Sequence, residues 1–128
     1  MLLTSAVFAA ETDEKDEVSA ITAGSGIVPY STYYKTGTIS ISRSSGSATV
    51  TVSTYAYQTI SHIYHDVTVY INGNWYSSER YENWNKISLS NSFSVPASSG
   101  DYIDVYADHY TENNGLTEVG HSHTAITY

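Results

Sequence analysis

The stretch Asp101-Tyr-Ile-Asp-Val-Tyr-Ala-Asp-His-Tyr110 divides into two chemistries with a period of two. Ile103, Val105, Ala107 and His109 fall on one side, and Tyr102, Asp104, Tyr106, Asp108 and Tyr110 on the other. Successive side chains of a strand point to opposite faces, so the pattern predicts a strand with one face in a core and the other in water. A second stretch repeats it, with Ile63, His65, Val67, Val69 and Ile71 set against Tyr64, Asp66, Thr68 and Tyr70. No run keeps helical spacing over three turns and no segment repeats, so the expected class is all-β.

Outward from these two stretches, short alternating runs recur between turn-forming residues. Residues 35–43 place Ile39 and Ile41 inward, Ser44-Ser-Gly46 turns the chain, and residues 47–54 place Ala48, Val50 and Val52 inward, which together predict a hairpin. Asn72-Gly73 supplies the positive φ angles of a tight turn and returns the chain through residues 75–81. Residues 86–95 carry Ile87, Leu89, Phe93 and Val95 at odd positions before Pro96 to Gly100 breaks the run. Asn113-Asn-Gly115 turns into residues 116–128, whose register is left open. About seven short runs of this kind are the pattern of a single antiparallel β-sandwich.

At 128 residues with 41% hydrophobic content the chain is long enough for one core and one domain. Thirteen tyrosines and few of the residues that favour helices fit a strand composition. Five of the 13 acids precede Val28 against the single base Lys15, so the net charge of −8 splits evenly between that stretch and the rest. A chain this acidic lacks the basic patch that phosphate requires, which argues against nucleic acid and anionic membranes as partners. Residues 1–9 read as the remnant of a secretion signal, with small residues at a cleavage point near Ala9, and are too short for a membrane span. Residues 10–28 combine Glu11, Asp13, Glu14, Asp16 and Glu17 with Gly24-Ser-Gly26, and are expected to be a flexible acidic segment. The β-sandwich is then expected over residues 29–128, from Pro29 onward. Export without any cysteine suits a Gram-positive bacterial protein, secreted or held at the cell surface.

Several local motifs are similar to those of a family of small secreted Gram-positive bacterial proteins that has no assigned function. They are the Ser-rich hairpin from Ile39 to Val50, Trp75, Gly100-x-Tyr102, Val105-x-Ala-x-His109, Gly115-x-Thr-Glu118 and Ser122-x-Thr124. The resemblance implies an immunoglobulin-like sandwich and export, and it brings no catalytic residues. In that order of strands the two stretches quoted first are antiparallel neighbours, so their outer faces merge. The merged surface holds Tyr64, Asp66, Tyr70, Tyr102, Asp104, Tyr106, Asp108 and Tyr110. Tyrosine rings pack on the C–H faces of sugars or on protein anchors while carboxylates accept hydrogen bonds, a mixture suited to recognising a glycan or an extracellular protein. The alternative is that tyrosine is simply a good strand former kept soluble by the acids between. Asp66 beside Asp104 or Asp108 would repel unless a cation offsets them, yet no calcium loop is present.

On the inner face the same pairing brings His65 and His109 together, with Glu118 across the Asn113-Asn114 turn. These three are expected to form a buried polar cluster in which each group finds a partner. The sharper alternative is a metal site joined by His121 or His123, but strand histidines more often serve structure, and no metal or other cofactor is expected. Glu79 and Glu82 could be an acid pair, but their spacing on a strand turns them apart, and they read as solvated rim charges beside Arg80. There is no cysteine, no Gly-x-Ser-x-Gly, no phosphate loop and no His-Glu-x-x-His, so no enzyme is expected. The expected function is a secreted, non-enzymatic recognition module acting through the Tyr/Asp face. A subunit of a surface assembly and a bacteriocin-like antagonist stand as alternatives.

Overall fold

The computed structural model describes residues 17–22 and 31–128. It is an antiparallel all-β structure of six strands: β1 (Glu17–Thr22), β2 (Tyr34–Ser44), β3 (Ser47–Ile71), β4 (Asn74–Pro96), β5 (Tyr102–Asn113) and β6 (Leu116–Thr127). The organising element is the hairpin of β3 and β4, 25 and 23 residues long. The runs expected at 47–54 and 63–71 are two halves of β3, and those at 75–81 and 86–95 are two halves of β4, which is why seven runs become fewer, longer strands. The halves read as separate strands because the alternation fails between them. The β3–β4 register shifts between Tyr55 and Ile60, where Tyr57, Gln58 and Thr59 are exposed, and Asn85 of β4 takes a positive φ of 58°. Ile87, beside this irregularity, is exposed, whereas Leu89 and Val95 beyond it are buried as expected.

One edge of β3 is covered by β4 along its length, and β2 and β5 share the other. Residues of β2 pair with the first half of β3, from Ser47 to Ala56, and β5 pairs with the second half, from His62 to Ile71. The path continues through β1 beyond β2 and β6 beyond β5. Strand β1 lies within the segment expected to be flexible, and it pairs with β2 from Glu17↔Ser42 to Thr22↔Gly37. Val18, Ile21 and Thr22 are β-branched and suit a strand, a local signal that the neighbouring acids and glycines obscured.

The sheet curls so that β2 and β6, remote along the path, meet. Arg43 Nη2 donates to the carbonyl of Thr127 at 3.0 Å, the Gly46 amide donates to the Tyr128 hydroxyl at 2.9 Å, and that hydroxyl donates to the carbonyl of Ser44. Closure buries a cluster drawn from β2 to β6, with Ile39, Ile41, Val50, Val52, Val67, Val69, Val95, Ile103, Val105 and Ile126 at its centre. Burial of such side chains contributes roughly 1.5–3 kcal/mol each before entropy is counted. Two glycines make the closure sterically feasible: a Cβ on Gly37 of β2 would collide with the His109 ring, and one on Gly120 of β6 would collide with the Tyr34 ring. The Asn72-Gly73 and Asn114-Gly115 turns have positive φ at both residues, as a tight hairpin turn requires.

Candidate functional site

The two faces of the β3–β5–β6 sheet carry different chemistry. Pairing of β3 with β5 sets His65 opposite His109, Asp66 opposite Asp108, Tyr64 opposite Tyr110 and Tyr70 opposite Asp104. The turn at Asn114-Gly115 then sets His109 opposite Gly120, Asp108 opposite His121 and Tyr106 opposite His123. Parity therefore sends Ser122 and Thr124 inward and His121 and His123 outward.

On the inner face His65 and His109 are fully buried and joined through Thr54 of β3. Thr54 Oγ1 lies 2.8 Å from His65 Nδ1 and 2.7 Å from His109 Nδ1. The outer nitrogens meet Asn91 Oδ1 at 3.0 Å and Ser122 Oγ at 2.7 Å respectively. A neutral imidazole has one donor and one acceptor and a hydroxyl has one proton, so a single direction satisfies every atom. Ser122 donates to His109, His109 Nδ1–H donates to Thr54, Thr54 donates to His65 Nδ1, and His65 Nε2–H donates to Asn91. Burial lowers the pKa of His65 to about 4, against a partly opposing bond from Asn91. Burial lowers that of His109 to about 3, helped by the charges His65 and His121 would carry. Both rings are thus neutral at physiological pH.

Glu118 does not join them. It lies on the same inward parity but one pleat beyond the position opposite His109, which Gly120 occupies. There its carboxylate accepts the backbone amides of Thr32, Tyr33 and Tyr34 at 2.8, 2.8 and 2.9 Å, fastening the start of β2 to β6. Burial works upward on its pKa, but the three amide donors outweigh it and hold the carboxyl below its ordinary value. The partners that the sequence reading missed are Thr54, Asn91 and Ser122. Ser122 follows from the β6 register, and Thr54 and Asn91 come from the other halves of the two long strands. Among the described residues no group of three His, Asp or Glu side chains converges as a metal would need.

On the outer face all eight expected residues come together, and most of the carboxylates have basic partners. Arg80 of β4 grips Asp66 with Nε at 2.7 Å and Nη2 at 2.9 Å, and its guanidinium lies 4.6 Å from the centre of the Tyr64 ring. His121 Nδ1 meets Asp108 at 2.7 Å and His123 Nε2 meets Asp104 at 2.8 Å. These contacts offset the repulsion of Asp66 and Asp108, which stand directly opposite one another. His62 lies between Glu82, at 2.9 Å, and Glu112, at 3.1 Å. So Glu82 is a member of the face and not merely a rim charge, Arg80 joins it there, and His121 and His123 belong here and not with the inner pair.

The rings form two groups. Trp84, His62, Tyr64 and Tyr110 stack in sequence with centroids 4.8, 4.5 and 4.5 Å apart. Further along, His123 stacks on Tyr106 at 4.2 Å, and Tyr70 meets Tyr106 edge-on at 5.9 Å and 85°. Burial and the Asp104 carboxylate raise the pKa of Tyr106, so its hydroxyl keeps a proton to donate. Between β3 and β5 the second group borders an open groove of about 510 Å³ lined by Thr68, Tyr70, Gly73, Asp104, Tyr106 and Asp108. A smaller groove of about 290 Å³ lies on the other side of β3, lined by Asp66, Val67, Thr68, Ser78, Glu79 and Arg80. Tyr102 stands at the far end of the face, opposite Thr127.

No protein-family model matches the chain, and no curated protein sequence matches it. Among solved structures it is similar to chicken MD-1, in a crystal structure of that protein complexed with lipid IVa. The two share 14% identity, with 89% of this chain and 92% of that chain covered and a TM-score of 0.36.

Proposed function

We propose that the chain is a non-enzymatic recognition module, exported by a Gram-positive bacterium, that binds a glycan through the Tyr/Asp face. The observation that carries this reading is the groove bordered by Tyr70 and Tyr106, with Asp104 and Asp108 on its walls. Two rings at right angles offer an apolar wall for the C–H face of a sugar, and carboxylates and the Thr68 hydroxyl offer acceptors for its hydroxyls. The rings are held by strand pairing and by stacking, so little side-chain entropy remains to be lost on binding. The curled sheet in this reading is a variant of the immunoglobulin-like sandwich of the small exported family it resembles, with long bent strands in place of pairs of short ones. A glycan array and pull-down with cell-wall fractions test it. Retention of the full chain and loss with Tyr106→Ala are expected, and no retention at millimolar glycan would sink the glycan reading.

A second reading, a subunit of a surface assembly, draws on the free edge of β4. Among the described residues β4 pairs only with β3, and it exposes Trp75, Tyr76, Trp84 and Ile87. An edge of that length can add a strand from a neighbour. Light scattering at high protein concentration decides the point, since a strict monomer argues against assembly.

A further inference from the structure

We propose that the groove bordered by Tyr70 and Tyr106 takes a positively charged amine, carried by an amino sugar of the recognised glycan. The inference rests on the recognition reading above and narrows it to one ligand chemistry. The lining of the groove holds two carboxylates, two phenol rings, a hydroxyl and a glycine, and no basic side chain. A neutral sugar gains from rings and acceptors but has no use for two negative charges. An ammonium gains from both, because a cation is attracted to the face of an aromatic ring and to a carboxylate together.

The same face already shows this chemistry satisfied from within. Arg80 lies over Tyr64 and is forked onto Asp66, so a cation, a tyrosine ring and a carboxylate meet there. The groove repeats the ring and the carboxylates with imidazoles in place of the guanidinium: His123 stacks on Tyr106 and meets Asp104, and His121 meets Asp108. Each histidine approaches from β6 and engages one oxygen only, Oδ1 of Asp108 and Oδ1 of Asp104, whereas Arg80 engages both oxygens of Asp66. The second oxygen of each aspartate has no hydrogen-bond partner among the described residues. The net charge of −8 raises the local concentration of cations and disfavours acidic glycans. An amino sugar meets the lining with its C–H face against a ring, its hydroxyls near Thr68 and its ammonium against the free oxygen of Asp108.

Calorimetric titration of the full chain with a glucosamine trisaccharide, its fully N-acetylated counterpart and a lysine-containing tetrapeptide tests the proposal. The free-amine trisaccharide is expected to bind at least about tenfold more tightly than the acetylated one, and to weaken as salt is raised. Asp108→Asn is expected to remove most of that difference, weakening the free-amine trisaccharide far more than the acetylated one; circular dichroism checks that the variant folds. Equal affinity for the two trisaccharides overturns the amine inference and leaves the glycan reading standing. Tighter binding of the tetrapeptide than of either sugar overturns the amino sugar as occupant. Failure of both sugars to bind overturns this inference and the glycan reading together.

Discussion

Acid should unfold this protein through its two buried histidines, and the structure fixes both the direction and the window. In the unfolded chain each imidazole takes a proton near its ordinary value of 6.5, whereas in the fold the values fall to about 4 for His65 and about 3 for His109. The folded pKa values are depressed, so between the two limits the unfolded state binds more protons and stability falls as pH falls. It is complete above the ordinary histidine value and stops changing below the folded values. One pH unit is about 1.4 kcal/mol for each ring, so inside the window the pair removes about 3 kcal/mol per unit. From pH 7 to pH 4 the loss is about 6 kcal/mol, comparable with the whole stability of a small domain, roughly 5–15 kcal/mol. The physical cause is burial, which disfavours the charged imidazolium at both rings, and for His109 the charges that His65 and His121 would carry add to it. Urea unfolding followed by far-UV circular dichroism at a series of pH values measures the slope. Between about pH 6 and 5 carboxylates contribute little, so a slope near 2 to 3 kcal/mol per unit belongs to the histidines. His109→Gln should roughly halve it. A flat profile over that interval, or an unchanged slope after both histidines are replaced, would refute the reasoning.

The remaining predictions concern the closure of the curled sheet. Gly37→Ala and Gly120→Ala each drive a methyl group into a buried ring, His109 and Tyr34 respectively, and each should cost about 3 kcal/mol in denaturant unfolding. Glu118→Gln replaces a charged acceptor of three backbone amides with a neutral one and should lower stability by about 1–2 kcal/mol, with faster amide exchange at Thr32 to Tyr34. Thr124 Oγ1 is buried without a hydrogen-bond partner among the described residues, so Thr124→Val should leave the melting temperature unchanged or raise it, by up to about 1 kcal/mol of stability.

Much of the fold was legible because strands with one wet face write their parity into the sequence. Ile103 to His109 and Ile63 to Ile71 gave the inner and outer sets of β5 and of half of β3 without error, and the outer set is the face described above. Parity does not tell where a strand ends. The exposed Tyr57 to Thr59 and the bulge at Asn85 look like turns but are bends within β3 and β4, and so Thr54 and Asn91 could not be seen as partners of His65. The register of β6 was in principle readable, since a two-residue turn at Asn114-Gly115 requires Asn113 opposite Leu116 and hence Gly120 opposite His109. Counting from that turn would have removed Glu118 from the histidines and sent His121 and His123 to the outer face. The meeting of β2 with β6 had no local signal, because it depends on the curl of the whole sheet and on two glycines whose neighbours come from distant strands.

The central claim is that the face of Tyr70, Tyr106, Asp104 and Asp108 is where a ligand lies. Chemical-shift mapping of the amide-labelled chain during titration with a glucosamine trisaccharide tests it most directly. Perturbations are expected to be confined to residues around the groove, from Thr68 to Gly73 and from Asp104 to Asp108, and to be absent in Tyr106→Ala. Perturbations centred on the free edge of β4, or none at saturating sugar, would contradict it.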